Sequence, residues 1–314
     1  MKRKNLIGLG IVAPVALGVS ALTAASAKLY DYAFRRVDYV PETSADKQKY
    51  ADDYYRYVNW FHKVTTKQWT LHPSDLENRV EATFIPSASE NAKTTVIIAH
   101  GYKGNGETMS NYAKMFYDMG YNVLLPDDRA HGNSSGDYIN FGWIDRLDFV
   151  EWAHSVINNV GEDSKIIMFG VSMGGATIQM TSGENLPPQV KLMISDCGYS
   201  NLRSELAYLL KHQFHLSPTV FVPIINAINH HRMGFSIDDV SSVKQLRKNT
   251  RPFLFIHGEK DIYVPTYMVD ECFEACPEPK DIWIVPNASH AESFWMNPKA
   301  YQAKIQRFID NYSD

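Results

Sequence analysis

The residues with the most pointed chemistry lie in one run, Lys165-Ile166-Ile167-Met168-Phe169-Gly170-Val171-Ser172-Met173-Gly174-Gly175. An apolar strand-like stretch feeds Gly-x-Ser-x-Gly, and helix-compatible sequence follows. A serine on so sharp a strand-to-helix turn is strained, and its Oγ is pushed up at the C-terminal edge of a sheet. Gly170 and Gly174 remove side chains that would collide there, and the helix N-terminus beneath favours developing negative charge. The chemistry implied is nucleophilic attack by Ser172. Other reactive groups make weaker patterns. Cys197, Cys272 and Cys276 are too few for a disulfide framework, and Cys272 and Cys276, four apart on an expected helix, read as small buried residues. The glycine-rich Lys103-Gly104-Asn105-Gly106 lacks the Gly-x-x-x-x-Gly-Lys-Ser/Thr spacing of a phosphate cradle. Of 11 histidines, His212, His215, His230 and His231 have no carboxylate cluster beside them in the sequence, so no metal site is expected there. Neither a metal nor an organic cofactor is implied.

The elements that must position Ser172 follow from hydrophobic patterning. Short, β-branched, continuously apolar runs at Thr95–Ala99, Asn122–Pro126, Lys165–Gly170, Lys191–Ser195, Pro252–His257 and Asp281–Pro286 predict parallel strands covered on both faces. Weaker strands at Gln68–Leu71 and Arg79–Ile85 predict an antiparallel edge. Met109, Tyr112, Ala113 and Phe116, then Ile144, Leu147, Val150 and Ile157, mark amphipathic helices between strands. A last helix spans about Pro298 to Tyr312, and another is expected over Ser44 to Lys63. The sum is an α/β domain with a mostly parallel eight-stranded sheet flanked by helices. The long stretch between Ser195 and Pro252 breaks the alternation. Its aromatic-rich segments Leu202–Phe214 and Val220–His231 predict a small helical cap over residues 200–245.

Several motifs in their order resemble the α/β-hydrolase-fold serine hydrolases. They are the strand into His100-Gly101-Tyr102, the loop Asp127-Asp128-Arg129-Ala130-His131-Gly132-Asn133-Ser134 and the Ser172 turn. His257-Gly258-Glu259-Lys260-Asp261-Ile262-Tyr263-Val264-Pro265 and Asn287-Ala288-Ser289-His290 complete the set. The resemblance runs from about residue 80 to the C-terminus. It implies the chain order Ser…Asp…His, with Ser172 as nucleophile, Asp261 as orienting acid and His290 as general base. Asp196, at the end of the preceding strand, is the competing acid, and His131 is the rival base, although its Gly- and Ser-rich loop resembles a structural turn of the family. Glu259 reads as solvated, and His100 as a residue that orders the following loop. The fold also implies an oxyanion hole from the backbone N–H groups of Tyr102 and Met173. The Tyr102 phenol either reaches substrate or simply packs. The expected reaction is cleavage of a small-molecule acyl ester. A peptidase, amidase, thioesterase or acyltransferase would use the same residues. Dehalogenases and epoxide hydrolases of this fold carry Asp at the nucleophile position. A non-catalytic binding protein on the same fold is disfavoured by the presence of all three candidate residues.

The N-terminus adds an address. Lys2, Arg3 and Lys4 precede an uncharged run from Asn5 to Ala27. That length suits a single membrane-spanning anchor, with Tyr30, Tyr32, Phe34, Arg35 and Arg36 at the far interface. Ala25-Ser26-Ala27 offers a signal-peptidase site instead, so residues 1–27 read as anchor or cleaved signal and residues 28–314 as the catalytic domain. The basic flank places the N-terminus inside and the domain outside the cell membrane, or secreted after cleavage. With this segment the chain resembles membrane-anchored α/β hydrolases of Gram-positive bacteria. The 45% hydrophobic content excludes disorder, and the net charge of −4 with no dense basic face stands against a nucleic-acid partner.

Overall fold

A computed structural model of the chain describes residues 6–37, 49–75, 77, 79–89 and 91–313, with side chains from residue 20 onward. An eight-stranded sheet has the order β1-β2-β4-β3-β5-β6-β7-β8. β1 (Lys67–Leu71) and β2 (Val80–Ile85) pair antiparallel, and β2 pairs antiparallel with β4 (Asn122–Pro126). β3 (Thr94–Ala99), β4, β5 (Lys165–Val171), β6 (Val190–Asp196), β7 (Phe253–Gly258) and β8 (Lys280–Val285) run parallel. All positions of β4 and β7 are buried, as the unbroken apolar runs require of strands covered on both faces.

Alternate residues of one strand supply the two core layers. Val96 and Ile98 face α3 (Ser110–Asp118) and α11 (Pro298–Tyr312), packing with Tyr112, Phe116, Tyr301 and Phe308. Ile97 and Ala99 face the other side, where Phe149 and Trp152 of α4 (Asp145–Val160) and Ile178 of α5 (Met173–Thr181) close the layer. The strand order reverses beside β3. The loops after β3 and β5 therefore leave in opposite directions, and the crevice between them is where open α/β sheets take ligands.

The insertion after β6 contains two cap helices, α6 (Leu202–His212) and α7 (Pro218–Met233), followed by the short α8 (Ser242–Leu246) and, beyond β7, by α9 (Tyr267–Ala275). α7 starts earlier and ends later than its apolar run predicts. Pro218 preorganises the first turn, and Gly234, at φ 77°, supplies the left-handed stop. Leu206, Leu210, Val222 and Ile225 pack in one cluster with Met173 and Val264, which sets the cap over the C-terminal strand ends.

α1 (Leu6–Phe34) precedes α2 (Ala51–Phe61). The expected anchor lies largely outside the described residues: residues 1–5 entirely, and residues 6–19 in their side chains. Among the described residues no helix is long and apolar enough to cross a membrane. Tyr30 and Phe34, expected at a membrane interface, are instead fully buried core residues. They stack on each other at 4.3 Å, and Phe34 meets Phe141 edge-on at 4.8 Å. The i, i+4 spacing of two aromatic rings makes this stripe, and the cap supplies its partner. Of the helix expected over Ser44–Lys63, residues 44–48 lie outside the described residues, and α2 covers the rest more narrowly.

Candidate active site

Ser172 sits between β5 and α5 at φ 59° and ψ −119°, a conformation that favours glycine and is strained for a serine. The flanking glycines are sterically required. A Cβ on Gly170 would stand 2.2 Å from the Gly174 carbonyl oxygen, and one on Gly174 would stand 2.2 Å from the Ala99 carbonyl oxygen. The turn is thus wedged against both its own helix and the neighbouring strand. Ser172 Oγ lies 2.8 Å from His290 Nε2, across 118 residues of sequence.

His290 is presented by the loop between β8 and α10 (Ser293–Met296), where Asn287 and Ala291 adopt φ values of 61° and 55°. Glu292 ties that loop down. It accepts from the Ser289 N–H and hydroxyl, Tyr50 and Lys49, which more than offset partial burial and bring its carboxyl down to about 2.

The other ring nitrogen, Nδ1, lies 2.8 Å from Asp261 Oδ2. With Nδ1–H donating to the carboxylate, Nε2 is free to accept the Ser172 proton. Asp261 Oδ1 accepts the N–H groups of Tyr263 and Val264, each at 2.9 Å. A second imidazole, His257, brings Nε2 to 3.3 Å from Oδ2 and 2.9 Å from the Val264 carbonyl. Burial opposes charge on Asp261, but the hydrogen bonds from His257 and His290, with their electrostatic attraction, hold the carboxyl well below the ordinary range. The role of His257 escaped the sequence reading. Its only signal was a histidine four residues before the acid.

Asp196, the competing acid, is fully buried at the end of β6, and its hydrogen bonds go elsewhere: Oδ2 to the Tyr301 hydroxyl at 2.8 Å and Oδ1 to that of Ser293 at 3.2 Å. Burial pushes it up to about 6 against those hydroxyls and the nearby imidazoles. Cys197 stands at φ 48° with its thiol, an Asp261 oxygen and a His290 nitrogen within 4.8 Å of one another. Burial keeps that thiol protonated, and His290 Nδ1 is already committed to Asp261. Glu259 is exposed.

Tyr102 and Met173 flank the nucleophile. Met173 opens α5, and a Cβ on Gly101 would stand 3.7 Å from Ser172 Cβ, so the loop after β3 lies directly against the serine. Among the described residues neither the Tyr102 nor the Met173 N–H is engaged by another protein group. His100 accepts the Asp128 N–H at Nε2 and faces the Gly101 carbonyl with Nδ1, bracing this loop as a neutral ring whose pKa burial lowers. The rival base His131 has both ring nitrogens engaged by other groups. Its Nδ1 faces the Arg129 carbonyl, its Nε2 accepts the Lys103 N–H, and burial drives its pKa far down.

Comparisons with known proteins agree with this architecture. The solved Pyrococcus furiosus esterase Pf2001 superposes with a TM-score of 0.66 at 20% identity, covering 90% of this chain and 100% of that one. An uncharacterized membrane protein of Saccharomyces cerevisiae is 24% identical over 212 residues, 65% of this chain and 67% of its own length. The Bacillus subtilis protein YqkD, also uncharacterized, is 30% identical over 227 residues, 72% of this chain and 74% of its own. The family described as serine aminopeptidase, S33, matches residues 90–250, which span the Ser172 turn and the cap. With the α/β-hydrolase sheet and the strand–serine–helix turn inside that match, the chain belongs to the serine aminopeptidase S33 family of α/β hydrolases.

Proposed function

We propose that this hydrolase cleaves a carboxylic ester through an acyl-enzyme on Ser172. The carrying observation is the continuous path from Ser172 Oγ through His290 to Asp261, with both contacts at 2.8 Å. Oγ attacks the acyl carbon as its proton passes to His290 Nε2. Asp261 stabilises the imidazolium, and the carbonyl oxygen gathers charge against the N–H groups of Tyr102 and Met173. His290 returns the proton to the leaving alcohol oxygen as the C–O bond breaks. A water, deprotonated by the same ring, then releases the acid and restores Ser172. The esterase name of Pf2001 supports the ester reading, whereas the family description favours an amide substrate. A matched nitrophenyl ester and nitroanilide separate the two. Turnover of the ester far above the anilide supports the proposal, and the reverse gives a peptidase or amidase. Ser172→Ala abolishes turnover and fluorophosphonate labelling with an unchanged Tm, and residual labelling would move the nucleophile elsewhere.

The uncharged run to Ala27 after Lys2, Arg3 and Lys4, together with the membrane-protein name of the yeast relative, supports a tether at the cell membrane with the catalytic domain outside. Full-length protein then stays with membranes through a high-salt wash. A mature chain beginning at Lys28 shows cleavage instead.

A further inference from the structure

The last turn of α1 is built into the oxyanion loop. A helix ends with four backbone carbonyls lacking partners inside it. Here each has one. The Asp31 carbonyl accepts the Arg35 N–H at 3.1 Å, and the Phe34 carbonyl accepts the Ile139 N–H at 2.6 Å. The other two are taken by the loop after β3. The Tyr102 hydroxyl donates to the Ala33 carbonyl at 2.7 Å, and Lys103 Nζ donates to the Tyr32 carbonyl at 3.0 Å. The ammonium is also well placed against the negative end of the helix dipole.

These contacts act on the residues that matter for the oxyanion. Lys103 holds φ 57°, an uncommon conformation for a residue with a Cβ, so outside contacts must sustain it. The direction of the neighbouring Tyr102 N–H depends on that backbone. The Tyr102 ring lies flat on Phe141 at 5.6 Å, and Phe141 in turn packs on Phe34 of α1. Beyond the helix, Arg36 donates to the carbonyls of Gly132 and Ser134, clamping the turn whose His131 accepts the Lys103 N–H at 3.2 Å. The far side of α1 is held to the cap by Tyr30 to Asn229 at 3.1 Å and by the Asp31–Arg232 ion pair.

We propose that residues 30–36 are a positioning strap that sets the oxyanion donor at Tyr102, so that transition-state stabilisation depends on docking of the N-terminal helix. The Tyr102 phenol, for which the sequence left substrate contact or packing open, belongs to this strap. The proposal rests on the acyl-transfer reading of Ser172. It also accounts for a helix that runs unbroken into the catalytic domain and ends on this loop.

The test uses the full chain and an inhibitor that reports the oxyanion, an alkyl trifluoromethyl ketone captured by serine as a tetrahedral adduct. In the Tyr102→Phe/Lys103→Met double variant, kcat and ketone affinity both fall about ten-fold, while KM moves less than two-fold. Tyr102→Phe alone is nearly isosteric and folds if the double variant does not. It loses about three-fold in kcat and ketone affinity together. Lys103→Arg, which keeps a cation at the Tyr32 carbonyl, retains most of both. An active wild type whose Tyr102→Phe variant keeps kcat and ketone affinity, whatever its Tm, overturns the strap alone. A wild type with neither ester turnover nor fluorophosphonate labelling overturns the acyl-transfer reading as well.

Discussion

The ends of β6 and β7 present the same residue in opposite states. Asp196 closes the buried parallel strand β6 and Asp261 follows the buried parallel strand β7, and both side chains are withdrawn from water. Burial penalises charge on each. Asp261 is surrounded by two backbone N–H groups and two imidazoles, and stays ionised. Asp196 has two neutral hydroxyls as donors and is pushed up to about 6. Depth is therefore not what separates the ionised carboxylate from the one pushed toward its neutral form. The number and polarity of its donors is, because only these stabilise the charged form where water cannot. In the proposed mechanism an ionised partner is required for the imidazolium that forms as Ser172 attacks.

The largest test of this contrast is Asp261→Asn. Without the carboxylate, His290 loses its tautomeric bias, and kcat/KM on a nitrophenyl ester is expected to fall on the order of 10⁴-fold, as in triad proteases. Asp196→Asn should stay within about ten-fold. The opposite ranking would make Asp196 the acid. Next comes His257→Leu, which strips one donor from Asp261 and leaves the Val264 carbonyl without it. Kinetics should show roughly a ten-fold loss in kcat, and urea unfolding a cost of about 1–3 kcal/mol. His257→Gln, whose amide reaches toward the position of Nε2, should recover part of both.

A third test reads ionisation of Asp196 directly. Its folded pKa, about 6, exceeds the unfolded value near 4. Between those pH values the folded state holds a proton that the unfolded state has released, so this group's contribution falls as pH rises. The contribution is complete below about pH 4 and gone above about pH 6. Unfolding curves of Asp196→Asn and wild type should therefore diverge in the variant's favour by roughly 3 kcal/mol across that window. Parallel curves would mean that Asp196 is ionised throughout. Asp261 has the opposite sign: its contribution is present above the unfolded pKa and is lost only as pH falls through its depressed folded value. The smallest expected effect is Glu259→Gln. This exposed side chain accepts the Asn287 N–H, and its replacement should change kcat/KM less than about two-fold.

Much of the architecture was written in short-range pattern. The continuous apolar runs predict the parallel strands, since only a strand covered on both faces lacks polar alternation. The Gly-x-Ser-x-Gly turn predicts the elbow because the close approaches at Gly170 and Gly174 are imposed by adjacent elements. By itself, then, the sequence determined the α/β class, the turn that carries Ser172 and the segments able to supply an acid and a base. Tertiary structure placed Asp261 against His290 across 29 residues and gave Asp196 the distant hydroxyls of Ser293 and Tyr301 instead. It also engaged His131 Nε2 with the Lys103 N–H and joined Tyr102 to Ala33 across 69 residues. It moved Tyr30 and Phe34 from an expected membrane interface into the core. Such outcomes depend on long-range contacts, and a carboxylate or an aromatic ring carries no local mark of which partner burial will give it.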